Sequence, residues 1–118
     1  MTQTPTQPAS EFVPANLDAS KWENVQPLYQ ALLDRELKCE NCLEQLILDR
    51  SELDAAVSEA GANLYIAMTR HTDDEQAKQA YLDFIENVEP KLKQISFELD
   101  RKIVESPHVE KLPTERYE

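Results

Sequence analysis

The sequence predicts an all-α fold: a long antiparallel helical hairpin with a short helix and an extended N-terminal arm. Three observations lead there. One glycine in 118 residues leaves little material for the turns of an all-β fold. Apolar residues recur at steps of three, four or seven along two long stretches, the period of one helical stripe. Two spacings, Ser20 to Glu23 and Thr72 to Glu75, have the form of a capping box, in which both side chains satisfy the free amides of a helix start.

The length suits one modest domain or a piece of a larger protein. Residues 1–11 are polar and proline-containing with nothing to bury, so a disordered leader is expected there, followed by a helical region over 12–118. Phe12-Val13-Pro14-Ala15-Asn16-Leu17 is too short for an independent element. Its large apolar side chains predict an extended arm lying on the helices. Pro27 suits the first position of helix one, where a missing N–H has no partner to lose, and Leu28, Leu32 and Leu33 supply a buried face to about Glu36.

From Asn41 to about Arg70 the stripe is Leu46, Leu53, Val57, Ala60, Leu64 and Ala67. One long helix is predicted, although Gly61 costs about 1 kcal/mol relative to alanine. Thr72-Asp73-Asp74-Glu75 opens helix three, whose stripe is Ala77, Tyr81, Phe84, Val88, Leu92, Ile95, Leu99 and Ile103. Pro90 interrupts it, yet the period continues in phase on both sides, which predicts a kink rather than an end. Ser106-Pro107 should stop it, because the residue before proline disfavours helical torsions. At 1.5 Å per residue the hairpin would run about 45 Å. Trp22, Tyr29, Ile47, Tyr65, Met68, Ile85 and Phe97 fall on or beside the stripe edges. That is more apolar surface than three helices need, and it implies a partner surface.

Twelve basic against twenty-three acidic residues give a net charge of -11, which repels phosphate backbones and anionic lipid and excludes a nucleic-acid or membrane-surface role. The start lacks a cationic, apolar secretory signal, and no apolar run approaches the roughly 18 residues of a membrane span. A cytoplasmic location is expected.

Cys39 and Cys42 stand in a Cys-x-x-Cys spacing. Zinc would need two more nitrogen or sulfur ligands, and His71 and His108 are expected near opposite ends of the hairpin. A redox dithiol needs a positive environment, whereas Glu40 and Glu44 crowd this pair. No structural disulfide is expected in a reducing compartment, so the two read as incidental cysteines at a helix start. His71 reads as an exposed or helix-capping residue, and His108 has no evident role. Asp73, Asp74 and Glu75 are explained by the helix dipole without a cation. Trp22 is expected to anchor the arm. Arg50 places a charge in the stripe of helix two and should pair with an acid, either of this chain or across an absent interface. The sequence contains no His-Glu-x-x-His, glycine-rich phosphate loop or serine triad. No catalytic, metal or cofactor-binding residue is assigned.

The order of segments carries a resemblance. Phe-Val-Pro-Ala-Asn-Leu-Asp-Ala-Ser-Lys-Trp-Glu-Asn-Val-Gln-Pro-Leu-Tyr, then Leu-Asp-Arg-Ser-Glu-Leu-Asp-Ala-Ala-Val-Ser-Glu-Ala, then Tyr-Ile-Ala-Met-Thr-Arg-His-Thr-Asp-Asp-Glu, then Tyr-Leu-Asp-Phe-Ile-Glu-Asn-Val-Glu-Pro-Lys-Leu, spans about Phe12 to Tyr117. It resembles the N-terminal region of oligoendopeptidase F-like enzymes, of the thimet oligopeptidase family of zinc metallopeptidases. The resemblance implies a helical body around a deep cleft, with zinc held by a His-Glu-x-x-His helix and a further glutamate in sequence absent here. No position of this chain matches those motifs. The expected role is therefore a scaffold and substrate-cleft segment without activity of its own. Its implied partners are the remainder of the peptidase chain and, in the parent enzyme, an oligopeptide substrate. The alternative is a free-standing acidic helical module that pairs with itself or another protein through the same apolar stripe. A third reading, a Cys-x-x-Cys redox protein, predicts dithiol-disulfide exchange that depends on Cys39.

Overall fold

The computed structural model describes residues 12–108. Among them every regular element is helical. Helix α1 is Trp22–Asp34 and α2 is Glu40–Arg70. A third helical stretch comprises α3 (Glu75–Asp83), a π-helical turn (Phe84–Val88) and α4 (Glu89–Glu105). The expected leader, 1–11, lies outside the described residues, as does the chain after His108.

The entry differs from the extended arm predicted. The backbone turns at Pro14, whose carbonyl accepts from the Leu17 amide at 3.2 Å, and again at Asp18. Phe12, Val13 and Leu17 are half-buried against the core, and the Arg35 guanidinium lies 5.2 Å from the centre of the Phe12 ring. The Ser20 capping box does not form. Lys21 is the N-cap and makes no side-chain bond, while Ser20 donates both its amide (3.1 Å) and its hydroxyl (2.6 Å) to Asp18 Oδ1. Asn24 completes the turn by donating to the Asp18 carbonyl at 3.1 Å.

Pro27 lies inside α1 rather than at its first position, because the helix already starts at Trp22. The buried face moves with it. Val25, Tyr29 and Leu32 are the fully enclosed side chains, while Leu28 and Leu33 are half-buried. Trp22 stacks on Tyr29 within the same helix, with ring centres 6.1 Å apart.

The second helix runs unbroken for 31 residues through Gly61. A Cβ at Gly61 would stand 2.6 Å from Phe84 Cε2, so the missing side chain is what lets the two helices approach there. Along α2, Arg50 meets Ser96 and Asp100, Gly61 meets Phe84, and Tyr65 meets Tyr81, so residue numbers fall on the third stretch as they rise on α2.

Asp74, not Thr72, closes the start of α3: its Oδ1 accepts from the Gln76 amide at 2.9 Å and the Ala77 amide at 3.2 Å. Pro90 acts through the turn before it. A proline in an α-helix removes one bond and presses its ring on the carbonyl four residues earlier. Here the ladder widens, the Glu89 amide reaching back to the Phe84 carbonyl, and α4 resumes with Pro90 in its first turn, where no N–H is required. The helix ends at Glu105, with Ser106 extended before Pro107 as expected.

The core joins Val25, Tyr29 and Leu32 to Leu43, Leu46, Leu53 and Val57 of α2 and to Phe84, Val88, Ile95 and Leu99 of the third stretch. The two long stripes predicted from the sequence are the ones buried. Their members Ala60, Leu64, Ala67, Ala77, Tyr81, Leu92 and Ile103 are only partly covered.

Candidate functional site

The polar chemistry concentrates where the helices meet, and it is mostly structural. Arg50 side-chain exposure is 14%. Its guanidinium donates to Asp100 at 2.7 Å and to the Ser96 hydroxyl at 2.6 Å, and stands 3.4 Å from Asp54. Its partners thus belong to this chain, not to an absent interface. Asp54 also accepts the Tyr29 hydroxyl at 2.5 Å. Burial, reinforced by that bond to a carboxylate, pushes the Tyr29 phenol well above its ordinary value.

Asp49 is the buried charge that sequence reading missed. It is 5% exposed, pairs with Arg35 at 2.7 Å, and accepts from Gln45 at 3.0 Å. Its signal was its place on the stripe between Leu46 and Leu53. Lys102 adds a bond of 2.6 Å to the Arg35 carbonyl, tying the α1–α2 connection to α4.

A cleft of about 680 Å³ separates the Val13–Ser20 segment from one face of α2. Ala55, Ala56, Ala60 and Leu64 line its α2 side, together with the acids Glu52 and Glu59. Glu52 Oε1 is buried with no hydrogen-bond partner among the described residues. Asp18 lies at the opposite wall, and the Ser20 hydroxyl bond holds its carboxyl below the ordinary value against a smaller opposing effect of burial. The polar side of the cleft consists of these carboxylates with Ser20, whose hydroxyl is donated to Asp18, and Asn63.

The remaining candidates stay apart. His71 is exposed at the end of α2, its amide bonded to the Ala67 carbonyl. His108 donates its amide to the Ser106 hydroxyl at 3.1 Å. Asp73 and Glu75 are exposed beside the Asp74 cap. Among the described residues no group of three or more His, Cys, Asp and Glu could hold a metal ion.

Cys39 and Cys42 depart from expectation. They are joined as a disulfide across the first turn of α2, with Cα atoms 5.1 Å apart. The spacing explains it, since the N-cap and third helical positions face each other across one turn.

No curated protein and no solved structure matches this chain. The family described as the Peptidase M3 N-terminal domain matches residues 12–118, which include α1 to α4 and the turned segment before them. The chain belongs to the Peptidase M3 N-terminal domain family.

Proposed function

We propose that this domain is the non-catalytic helical wall of the substrate cleft of a zinc-dependent oligopeptidase of the oligoendopeptidase F type, working in the cytoplasm. The family match over residues 12–118 carries this reading. The residues of this chain do not fit the zinc centre of such an enzyme. The sequence holds two histidines, His71 and His108, and no His-Glu-x-x-His, and the described residues assemble no ligand group. Zinc-activated water and its general base would be supplied by sequence outside this chain. This domain would restrict access to short, unfolded peptides. The exposed Leu48, Tyr65, Phe97 and Val104 support the reading, since apolar side chains at that exposure gain from being covered by the remainder of a larger protein.

The test compares this chain with the intact polypeptide encoded by its gene, measuring zinc content and cleavage of a fluorogenic oligopeptide. Zinc and cleavage in the longer protein and neither in the 118 residues is the expected result. A gene that stops after Glu118 and yields a stable self-associated protein would overturn the proposal in favour of a free-standing interaction module.

A further inference from the structure

We infer that Cys39 and Cys42 form a reversible thiol–disulfide pair that exchanges with low-molecular-weight disulfides such as glutathione disulfide, with Cys39 as the attacking sulfur. Three features of the site carry this. The two sulfurs are bonded across one turn, so oxidation needs no rearrangement of the fold. Cys39 is exposed and sits at the N-cap of α2, where its Sγ accepts from the Cys42 amide at 3.1 Å. A sulfur in that position is the one whose thiolate the amide and the helix dipole stabilise. Cys42 is partly covered and one turn into the helix, the position of a resolving thiol.

A purely structural staple fits less well. The entropic gain from a disulfide grows with the loop it closes, and this one closes a very short loop, with a sequence separation of three. The helix start does not depend on it either. Leu43 donates to the Cys39 carbonyl at 3.2 Å, so the first turn of the ladder is closed by backbone alone. The pair can therefore open and close while α2 stays in place. Glu40 and Glu44 oppose a thiolate, but they are exposed and screened by salt, whereas the amide contact is direct.

The exchange balances. The Cys39 thiolate attacks one sulfur of glutathione disulfide, forming a Cys39–glutathione mixed disulfide and releasing one glutathione thiolate. Cys42 then gives its proton to solvent and attacks Cys39 Sγ, closing the internal disulfide and releasing the second glutathione. Two electrons pass from the protein dithiol to the small disulfide.

The full chain is equilibrated in buffers of varied glutathione to glutathione disulfide ratio, quenched in acid, alkylated and weighed. The expected result is a smooth passage from two alkylated cysteines to none across that series. In Cys42→Ser, one glutathione adduct should form on Cys39 about tenfold faster than on Cys42 in Cys39→Ser, and the difference should vanish in denaturant, where the helix dipole is lost. A pair that stays bonded, or stays reduced, in every buffer overturns the proposal. Equal rates in the two folded variants, or an advantage that survives denaturant, overturn the assignment of Cys39 as the activated sulfur.

Discussion

Tyr29 of α1 donates its hydroxyl to the Asp54 carboxylate of α2 at 2.5 Å, with the tyrosine wholly out of solvent. The bond fixes the rotation of α1 against α2, because a buried phenol left without an acceptor would cost its desolvation. Tyr29→Phe removes the donor and leaves Asp54 beside Arg50, and should cost about 1–3 kcal/mol by urea unfolding. The same residue sets an alkaline limit. Its folded value is raised, so the unfolded chain gives up the phenolic proton near pH 10 while the folded chain keeps it. The contribution is fully present below pH 10 and is lost as pH rises above it. Stability measured across that range should fall more steeply in the parent than in Tyr29→Phe; identical slopes would refute the assignment.

Arg50 and Asp100 test how far an ion pair between α2 and α4 matters. The arginine side chain is 14% exposed and the aspartate 62%. Asp100→Ala should therefore cost under about 1 kcal/mol, as exposed pairs do. Arg50→Ala strands the Ser96 and Asp54 partners as well, and should cost about 2–3 kcal/mol. Added salt should narrow the effect of Asp100→Ala and leave most of the Arg50→Ala effect. Equal losses for the two variants, by thermal unfolding, would show that Ser96 and Asp54 add nothing.

Gly61 should not tolerate alanine, although alanine is the better helix former by about 1 kcal/mol. The new methyl would meet the buried Phe84 ring at 2.6 Å, and overpacking a filled site typically costs about 1–3 kcal/mol. Gly61→Ala should lower the melting temperature, and Phe84→Leu in the same chain should recover part of the loss. A rise in melting temperature on the single substitution would mean the ring moves aside freely.

Much of this fold was legible because helical burial is periodic. The third stripe is the clearest case: Phe84, Val88, Ile95 and Leu99 lie on the predicted steps and are all buried. The failures cluster at helix starts. Ser20, Thr72 and Asp74 each have the side chain of a cap, and sequence spacing cannot rank them. The choice depends on which backbone torsions the connecting turn imposes, and those selected Asp74 and, at the entry, a turn built on Asp18. Pro27 lies inside α1 rather than at its first position for the same reason, since the helix begins before its proline.

The sequence by itself determined that the chain is helical and where two long helices run, because a stripe of apolar residues at helical steps has one way to be buried; the family resemblance came separately, from the wording and order of its segments. The tertiary structure alone decided the rest. It enclosed Tyr29 rather than leaving it at an edge, gave Arg50 its partners inside the chain, and paired Asp49 with Arg35. The physical reason is that each of these depends on distance between groups, and distance across the molecule follows from how helices rotate and abut, which periodicity along one helix leaves open.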